Sequence, residues 1–600
     1  MRKSLATVSI SGSLTEKLES AARAGFDGVE IFENDLLGCP LTPEEIRDRA
    51  ADLGLTIDLY QPFRDFEAVS PDRLAANLRR AEKKFRTMER LGADTLLVCS
   101  NVSPDAIDDD GLAARQLRLL AERAAAHGIR IAYEALAWGR HVNDYLHAWR
   151  IVRMADHPGL GTCLDSFHIL SRGSDPGGIE ALPGEKIFFL QLADAPPLSM
   201  DVLQWSRHHR CFPGQGGFDV AGLVAHVLRT GYDGPLSLEV FNDVFRQADT
   251  GRTAACAMRS LIALEESVAQ VLGTESPLPR PAEPSGFAFA ELATRDRERL
   301  GALLGGLGFS RTGRHAAEPV EVWEQGAARI LLNGADPGDP GTSLAAIGLE
   351  SPDPGASAER ARSLLAPAPP RRRALREAPM DAVAAPDGTR LLFCRAGDPD
   401  HPDRRAGSSR AAPPAGGITG IDHVALSHPW HHFDEAVLFH RAVLGLRPHE
   451  SFDVADPYGL LHSRAMSNEA GTVRMVLNIA RLGDKDLPRQ HVALATGDIV
   501  AVARRLRALP DVLLPIPDNY YDDLEARYDL GPERHRQLRE LGLMYDRDEG
   551  GEFLHLYTAT VGQVFFEIVE RVGDYRGFGL PNAAVRLVAQ HAPAPDRSAA

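Results

Sequence analysis

Thiols are scarce and unpatterned in this 600-residue sequence: six cysteines, at 39, 99, 163, 211, 256 and 394, with no CxxC pair and no regular framework. That spacing excludes a disulfide scaffold or a cysteine-rich zinc site and fits reduced, mostly buried thiols. Long apolar runs are missing too. No uninterrupted stretch approaches the roughly 20 residues of a membrane helix, and the opening MRKSLATVSISGS has no apolar segment long enough for a signal peptide, so a cytoplasmic location is expected. There is no long basic cluster: 66 Lys and Arg stand against 83 Asp and Glu, a net charge of -17, which argues against nucleic acid as the main partner and leaves a small molecule as the default. What is present, 44% apolar and 25% charged residues, fits globular domains, and 600 residues exceed what one core holds.

The first 270 residues alternate short apolar runs with amphipathic helical segments. Eight runs read as strands: ATVSIS, DGVEIFE, LTIDLYQ, DTLLVCS, IRIAYEA, GTCLDSF, IFFLQLAD and LSLEVFN. Glycines 25, 54, 92, 128 and 231 precede several of them, where a left-handed residue ends a helix, and Ser13 with Glu16 forms a capping-box pattern. Eight such units predict an α/β TIM barrel over residues 1–270. A Pro/Gly-rich linker, 271–286, follows. Beyond it, four strand starts, at Phe287, Ala345, Ile421 and Gln490, each lead into a helix and then more strands, which predicts a duplicated α+β module: a first half over 287–396, a linker over 397–418, a second half over 419–590, and a disordered tail over 591–600.

Acids stand at the carboxyl ends of consecutive barrel strands. Glu134 ends the fifth, Asp165 the sixth, Gln191 lies in the seventh and Glu239 in the eighth. A strand enclosed on both faces should be almost continuously apolar, so an acid there needs a cation or hydrogen bonds. Three carboxylates and one amide oxygen at the end where barrels build active sites suit a hard divalent ion, Mg2+, Mn2+ or Co2+. His168, three residues beyond Asp165, is a candidate general base. The loop SRHHRCFPGQGGFDV offers Ser206, Arg207, His208, His209 and Arg210, the last a bidentate partner for a substrate carboxylate, and Tyr60, Gln61 and Arg64 close the third strand on the same rim as further candidates, Tyr60 and Arg64 for substrate binding.

That order of residues, with RHHRCFPGQGGFD between Gln191 and Glu239, resembles the sugar-phosphate isomerase and AP-endonuclease-like (xylose isomerase-like) TIM barrels, and among them the bacterial two-domain 3-dehydroshikimate dehydratases. The resemblance implies a divalent metal at Glu134, Asp165, Gln191 and Glu239 and dehydration of 3-dehydroshikimate to protocatechuate in quinate and shikimate catabolism. On that reading a metal-stabilised enolate forms after His168 takes a proton alpha to the ring ketone, while Arg210 holds the ring carboxylate. The alternative is a sugar or hydroxypyruvate isomerase, in which metal-bound acids shuttle the proton and His168 is dispensable.

In the last two modules His423 opens HVALSH, His491 opens HVALAT and Glu567 lies in VFFEIVER. Two histidines and a carboxylate form a facial triad for Fe2+, with Mg2+ another occupant. The corresponding positions of the first pair are read as Phe289, Ala346 and Cys394, which do not replace it. IDHVAL, QHVALAT, IPDNYYDDL, FFEIVER and GFGLPNAA resemble 4-hydroxyphenylpyruvate dioxygenases of the vicinal-oxygen-chelate superfamily. This implies paired βαβββ modules and a metal on His423, His491 and Glu567, with His555 standing where that family has a substrate-contacting glutamine. A further expectation makes the carboxyl-terminal domain a structural module through which the chain forms homo-oligomers.

Overall fold

The computed structural model describes residues 1–314, 320–334, 341–369, 381–395, 416–456, 459–480 and 489–591. The expected linker at 397–418 and tail at 591–600 lie almost wholly outside the described residues. The chain divides into two compact units, Met1–Leu278 and Pro279–Ala600. No helix among the described residues is long and apolar enough to cross a membrane.

The first unit is a closed barrel of eight parallel strands in sequence order: β1 Lys3–Ala6, β2 Gly28–Phe32, β3 Thr56–Phe63, β4 Thr95–Cys99, β5 Arg130–Glu134, β6 Leu160–Asp165, β7 Ile187–Leu192 and β8 Leu236–Leu238. Pairing of Lys3 with Leu236 closes it. Leu59, Leu97, Cys99, Ala132, Cys163 and Phe189 pack into an apolar cluster inside the wall. The local signals act as expected from chemistry: Ser13 and Glu16 make a reciprocal capping box, and glycines 25, 54, 92, 128 and 231 all have positive φ. The first strand lies earlier than ATVSIS suggests. At Thr7 the chain leaves the wall in a short 3-10 turn because its hydroxyls bind neighbouring strand ends: Thr7 accepts from the Phe32 amide at 3.0 Å, and Ser9 from that of Val240 at 2.9 Å.

The helix Thr250–Leu272 ends at Gly273, and the second unit's first strand starts at Gly286. That unit carries two curled sheets. One, of seven strands, has the order β10-β11-β12-β9-β13-β15-β14, built from β9 Gly286–Ala293, β10 Ser310–Arg314, β11 Val320–Gln325, β12 Ala328–Asn333, β13 Ser343–Ser351, β14 Asp381–Ala384 and β15 Arg390–Arg395. The other, of eight, has the order β17-β18-β19-β16-β20-β23-β22-β21, built from β16 Ile418–Pro429, β17 Arg447–Asp456, β18 Gly459–Ser467, β19 Arg474–Ala480, β20 Gln490–Thr496, β21 Met544–Arg547, β22 Gly551–Tyr557 and β23 Val564–Gly573. Each sheet joins two modules through an antiparallel pair, β9 with β13 and β16 with β20. This is the vicinal-oxygen-chelate arrangement.

Candidate active site and second metal centre

The barrel brings the strand-end acids together. Asp165 and Gln191 are direct partners between β6 and β7, Glu134 ends the neighbouring β5, and Glu239 follows β8 immediately. All four are buried. One ligand atom each from Glu134, Asp165 and His168 lie within 4.8 Å of one another. Asp165 also caps the short helix Ser166–Leu170, accepting from the Phe167 amide at 2.6 Å, which fixes one oxygen and turns the other inward.

Arg210 runs between the acids. Its guanidinium donates to Asp165 at 2.7 Å and Glu239 at 3.1 Å, and Ser206 Oγ accepts from it at 2.9 Å. Ser206 and Arg210 therefore belong to the cluster, engaged with each other and with the carboxylates. Burial drives the Glu134 carboxyl well above its usual pKa, with Asp165 and Glu239 adding repulsion, and lifts Glu239 to about 7. On Asp165 burial acts most strongly, pushing it up, but Arg210 and His168 together outweigh it and hold that carboxyl low. Glu134 Oε1 is buried with no hydrogen-bond partner. Three buried carboxylates facing one guanidinium, with an oxygen left over, fit a hard dication.

His168 accepts from the Ala137 amide at Nδ1, 3.2 Å, and turns Nε2 toward Glu134 at 3.8 Å and Asp165 at 3.7 Å. Burial lowers its pKa to about 3, so the ring is neutral. Arg64, half-buried after β3, adds positive field at His168 and Glu239. Arg207 lies over Trp138 and Phe241, 6.0 and 5.4 Å from the ring centroids. Tyr60 is a correction: its ring is buried beneath Lys84 of the outer helix Pro71–Leu91, whereas its neighbour Gln61 faces the barrel interior. Alternation along β3 puts the two side chains on opposite sides of the wall.

In the second unit His423 Nε2 and His491 Nε2 stand 3.1 and 3.2 Å from Glu567 Oε2, and 3.3 Å from each other. Adjacent ligands at right angles around an ion, with bonds of about 2.1 Å, are about 3 Å apart, so this triad is close to ligand geometry. Asp422 holds His423 Nδ1 at 2.8 Å and is itself gripped by Arg571 at 2.8 and 2.9 Å, which fixes the ring with Nε2 inward. Against the pull of burial, the three neighbouring histidines keep Glu567 well below the usual carboxylate range.

Among the described residues the first half carries no such triad. Phe289 pairs with Gly348 and Ala346 with Glu291, as His423 pairs with Ala493 and His491 with Ala425. Gly348 in turn pairs with Leu392, as Ala493 does with Glu567, so Leu392 rather than Cys394 occupies the position of Glu567. Phe289, Ala346, Leu392 and Cys394 all join one apolar cluster.

A xylose isomerase-like TIM barrel family matches residues 18–263. The 3-dehydroshikimate dehydratase of Pseudomonas putida is 45% identical over 633 aligned residues, covering 98% of this chain and 98% of that protein. The chain belongs to the 3-dehydroshikimate dehydratase family. A solved xylose isomerase-like TIM barrel/4-hydroxyphenylpyruvate dioxygenase fusion protein, 44% identical, superposes over 98% of this chain and 99% of its own with a TM-score of 0.89. A 4-hydroxyphenylpyruvate dioxygenase of Pseudomonas aeruginosa is 29% identical over 50% of this chain and 92% of its own length.

For a member of the dehydratase family, the sequence reading overlooked one residue of this region. Glu30, in the middle of β2, is fully buried beside the acids and accepts from Gln61 at 2.7 Å, Gln191 at 2.6 Å and Ser237. The signal was available: an acid inside the apolar run DGVEIFE is the same anomaly that marks Glu134.

Proposed function

We propose that the barrel removes water from 3-dehydroshikimate to give protocatechuate, with a divalent cation, Mg2+, Mn2+ or Co2+, held by Glu134, Asp165, Gln191 and Glu239. The observation that carries this reading is the buried cluster of three carboxylates around one guanidinium, on a chain alike from end to end to a 3-dehydroshikimate dehydratase. Bound there, the cation supplies Lewis-acid stabilisation of the negative charge that develops on the ring oxygen.

The remaining work falls to the chain's own side chains. The neutral His168 ring, held beside Glu134 and Asp165, accepts the proton alpha to the ketone. The beta hydroxyl then departs as water, taking up the proton that His168 accepted, and tautomerisation makes the ring aromatic. Arg210 bridges Asp165 and Glu239 and offsets the repulsion between them, and Ser206 holds the guanidinium in that position. With those donors engaged, the half-buried Arg64 and Arg207 are the cations that receive the substrate carboxylate. Trp138 and Phe241 brace Arg207 from two sides.

Asp165→Asn tests the assignment. The reading expects appearance of a catechol from 3-dehydroshikimate with the parent and at least a hundredfold slower appearance with the variant; equal rates would contradict it. The second unit is proposed to bind a further divalent cation, Mg2+ or Fe2+, on His423, His491 and Glu567, supported by the near-ligand spacing of the three side chains. Metal content per chain, measured before and after Glu567→Gln, tests this: one equivalent should disappear.

A further inference from the structure

Gln191 is the one neutral member of the barrel's four-residue set, and an amide can ligate a cation only through its oxygen. Nothing in the amide itself decides which end faces the acids. The carboxylate of Glu30 does. It takes the Gln191 Nε2 hydrogen at 2.6 Å, which sends the NH2 group to the β2 side and leaves Oε1 beside the Cys163 thiol, 3.3 Å away on the β6 side. Gln61 Nε2 donates to the same Glu30 oxygen at 2.7 Å, and Ser237 occupies the other.

We propose that Glu30 is a positioning residue for the barrel's cation site: an acceptor on β2 that locks the Gln191 amide with its oxygen toward the metal. This rests on the assignment of Gln191 as a ligand. The role requires an acceptor aimed at two amides and not a charge, because Oε2 accepts both N–H groups whether Glu30 is ionised or carries its proton on the oxygen next to Ser237. Glu30 is fully buried and its oxygens are taken by these three side chains, so it acts through Gln191 and not on substrate. Groups that orient metal ligands in this way typically change metal affinity by about 10–100-fold when removed.

The test is Mn2+ binding, read from the free-ion paramagnetic resonance signal, in full-length chain carrying Glu567→Gln so that the second unit's site is not counted. Thermal melts of the metal-free proteins accompany it. Glu30→Met, of similar length without an acceptor, should weaken Mn2+ binding at least tenfold. Glu30→Gln, whose side-chain oxygen can accept from both amides while its NH2 meets Ser237, should stay within about threefold of the parent. Should Glu30→Met fail to fold, the exchanged pair Glu30→Gln with Gln191→Glu decides: an amide at 30 then donates to a carboxylate at 191, and affinity should exceed that of Gln191→Glu alone, in which two carboxylates oppose each other. Unchanged affinity in Glu30→Met, equal losses in Glu30→Met and Glu30→Gln, or no recovery in the exchanged pair would overturn the proposal. Failure of the parent to take up any Mn2+ would instead remove the metal reading on which it stands.

Discussion

His555 Nδ1 lies 2.7 Å from Glu567 Oε1, while His423 and His491 have Oε2 as their nearest Glu567 oxygen. On the far side of the ring Asn582 donates to Nε2 at 2.9 Å while also donating to the Tyr545 carbonyl at 3.0 Å. The asparagine therefore makes Nε2 the acceptor, the ring proton sits on Nδ1, and Glu567 presents only Oε2 to the paired histidines. His555 is thus engaged with a candidate ligand.

His555→Leu should release that carboxylate to rotate and weaken metal binding in the second unit by about 10–100-fold. Competition against a chelator of known affinity measures it. Undiminished affinity would mean that Glu567 needs no support from His555.

A second prediction concerns acid. His428 on β16 is buried with no partner for either ring nitrogen, and His440, on the helix Phe433–Leu444, is buried with a bare Nε2. Burial pushes His428 down to about 4, with Asp387 and Glu435 opposing and His440 and His432 reinforcing the shift. Above pH 6.5 the residue is neutral folded or unfolded. As pH falls from 6.5 toward 4 the unfolded chain gains a proton the folded chain refuses, so stability is lost across that window, by roughly 3 kcal/mol at most. Thermal melts at pH 7.5 and 5.0 should show a smaller acid-induced drop in His428→Leu than in the parent; an equal drop would refute the assignment.

Substrate contacts separate by side of the wall. Arg207→Gln should raise KM for 3-dehydroshikimate about tenfold or more with a smaller change in kcat, because it removes a carboxylate partner and not the proton acceptor. Tyr60→Phe should leave both within about twofold, since the phenol lies outside the barrel wall near Lys84. Steady-state kinetics on the two variants check this; the opposite pattern would restore Tyr60 to the site.

The reach of the sequence can be judged residue by residue. Glu134, Asp165, Gln191 and Glu239 stood out because a polar group at the end of an apolar run is improbable unless something compensates it, and the barrel's regular closure places such ends on one rim. Side of the wall was harder. Tyr60 and Gln61 are adjacent in sequence, and only the pleat of β3 decides which enters the barrel. Pairing register was not legible either: Leu392 and Cys394 lie two residues apart on one face of β15, and which of them matches Glu567 depends on how β13 and β15 align. Glu30 was legible as an acid within an apolar run, but its three partners were not, because they come from β3, β7 and β8, a convergence that exists only once the barrel closes.

The most direct test of the central claim is a metal titration of catalysis. Protein stripped with a chelator, and shown to be free of metal, should turn 3-dehydroshikimate into catechol product at under about one hundredth of its original rate, and stepwise Mn2+ should restore the rate in the parent but not in Glu134→Gln. Stripped, metal-free protein that forms product at the full rate would contradict the account.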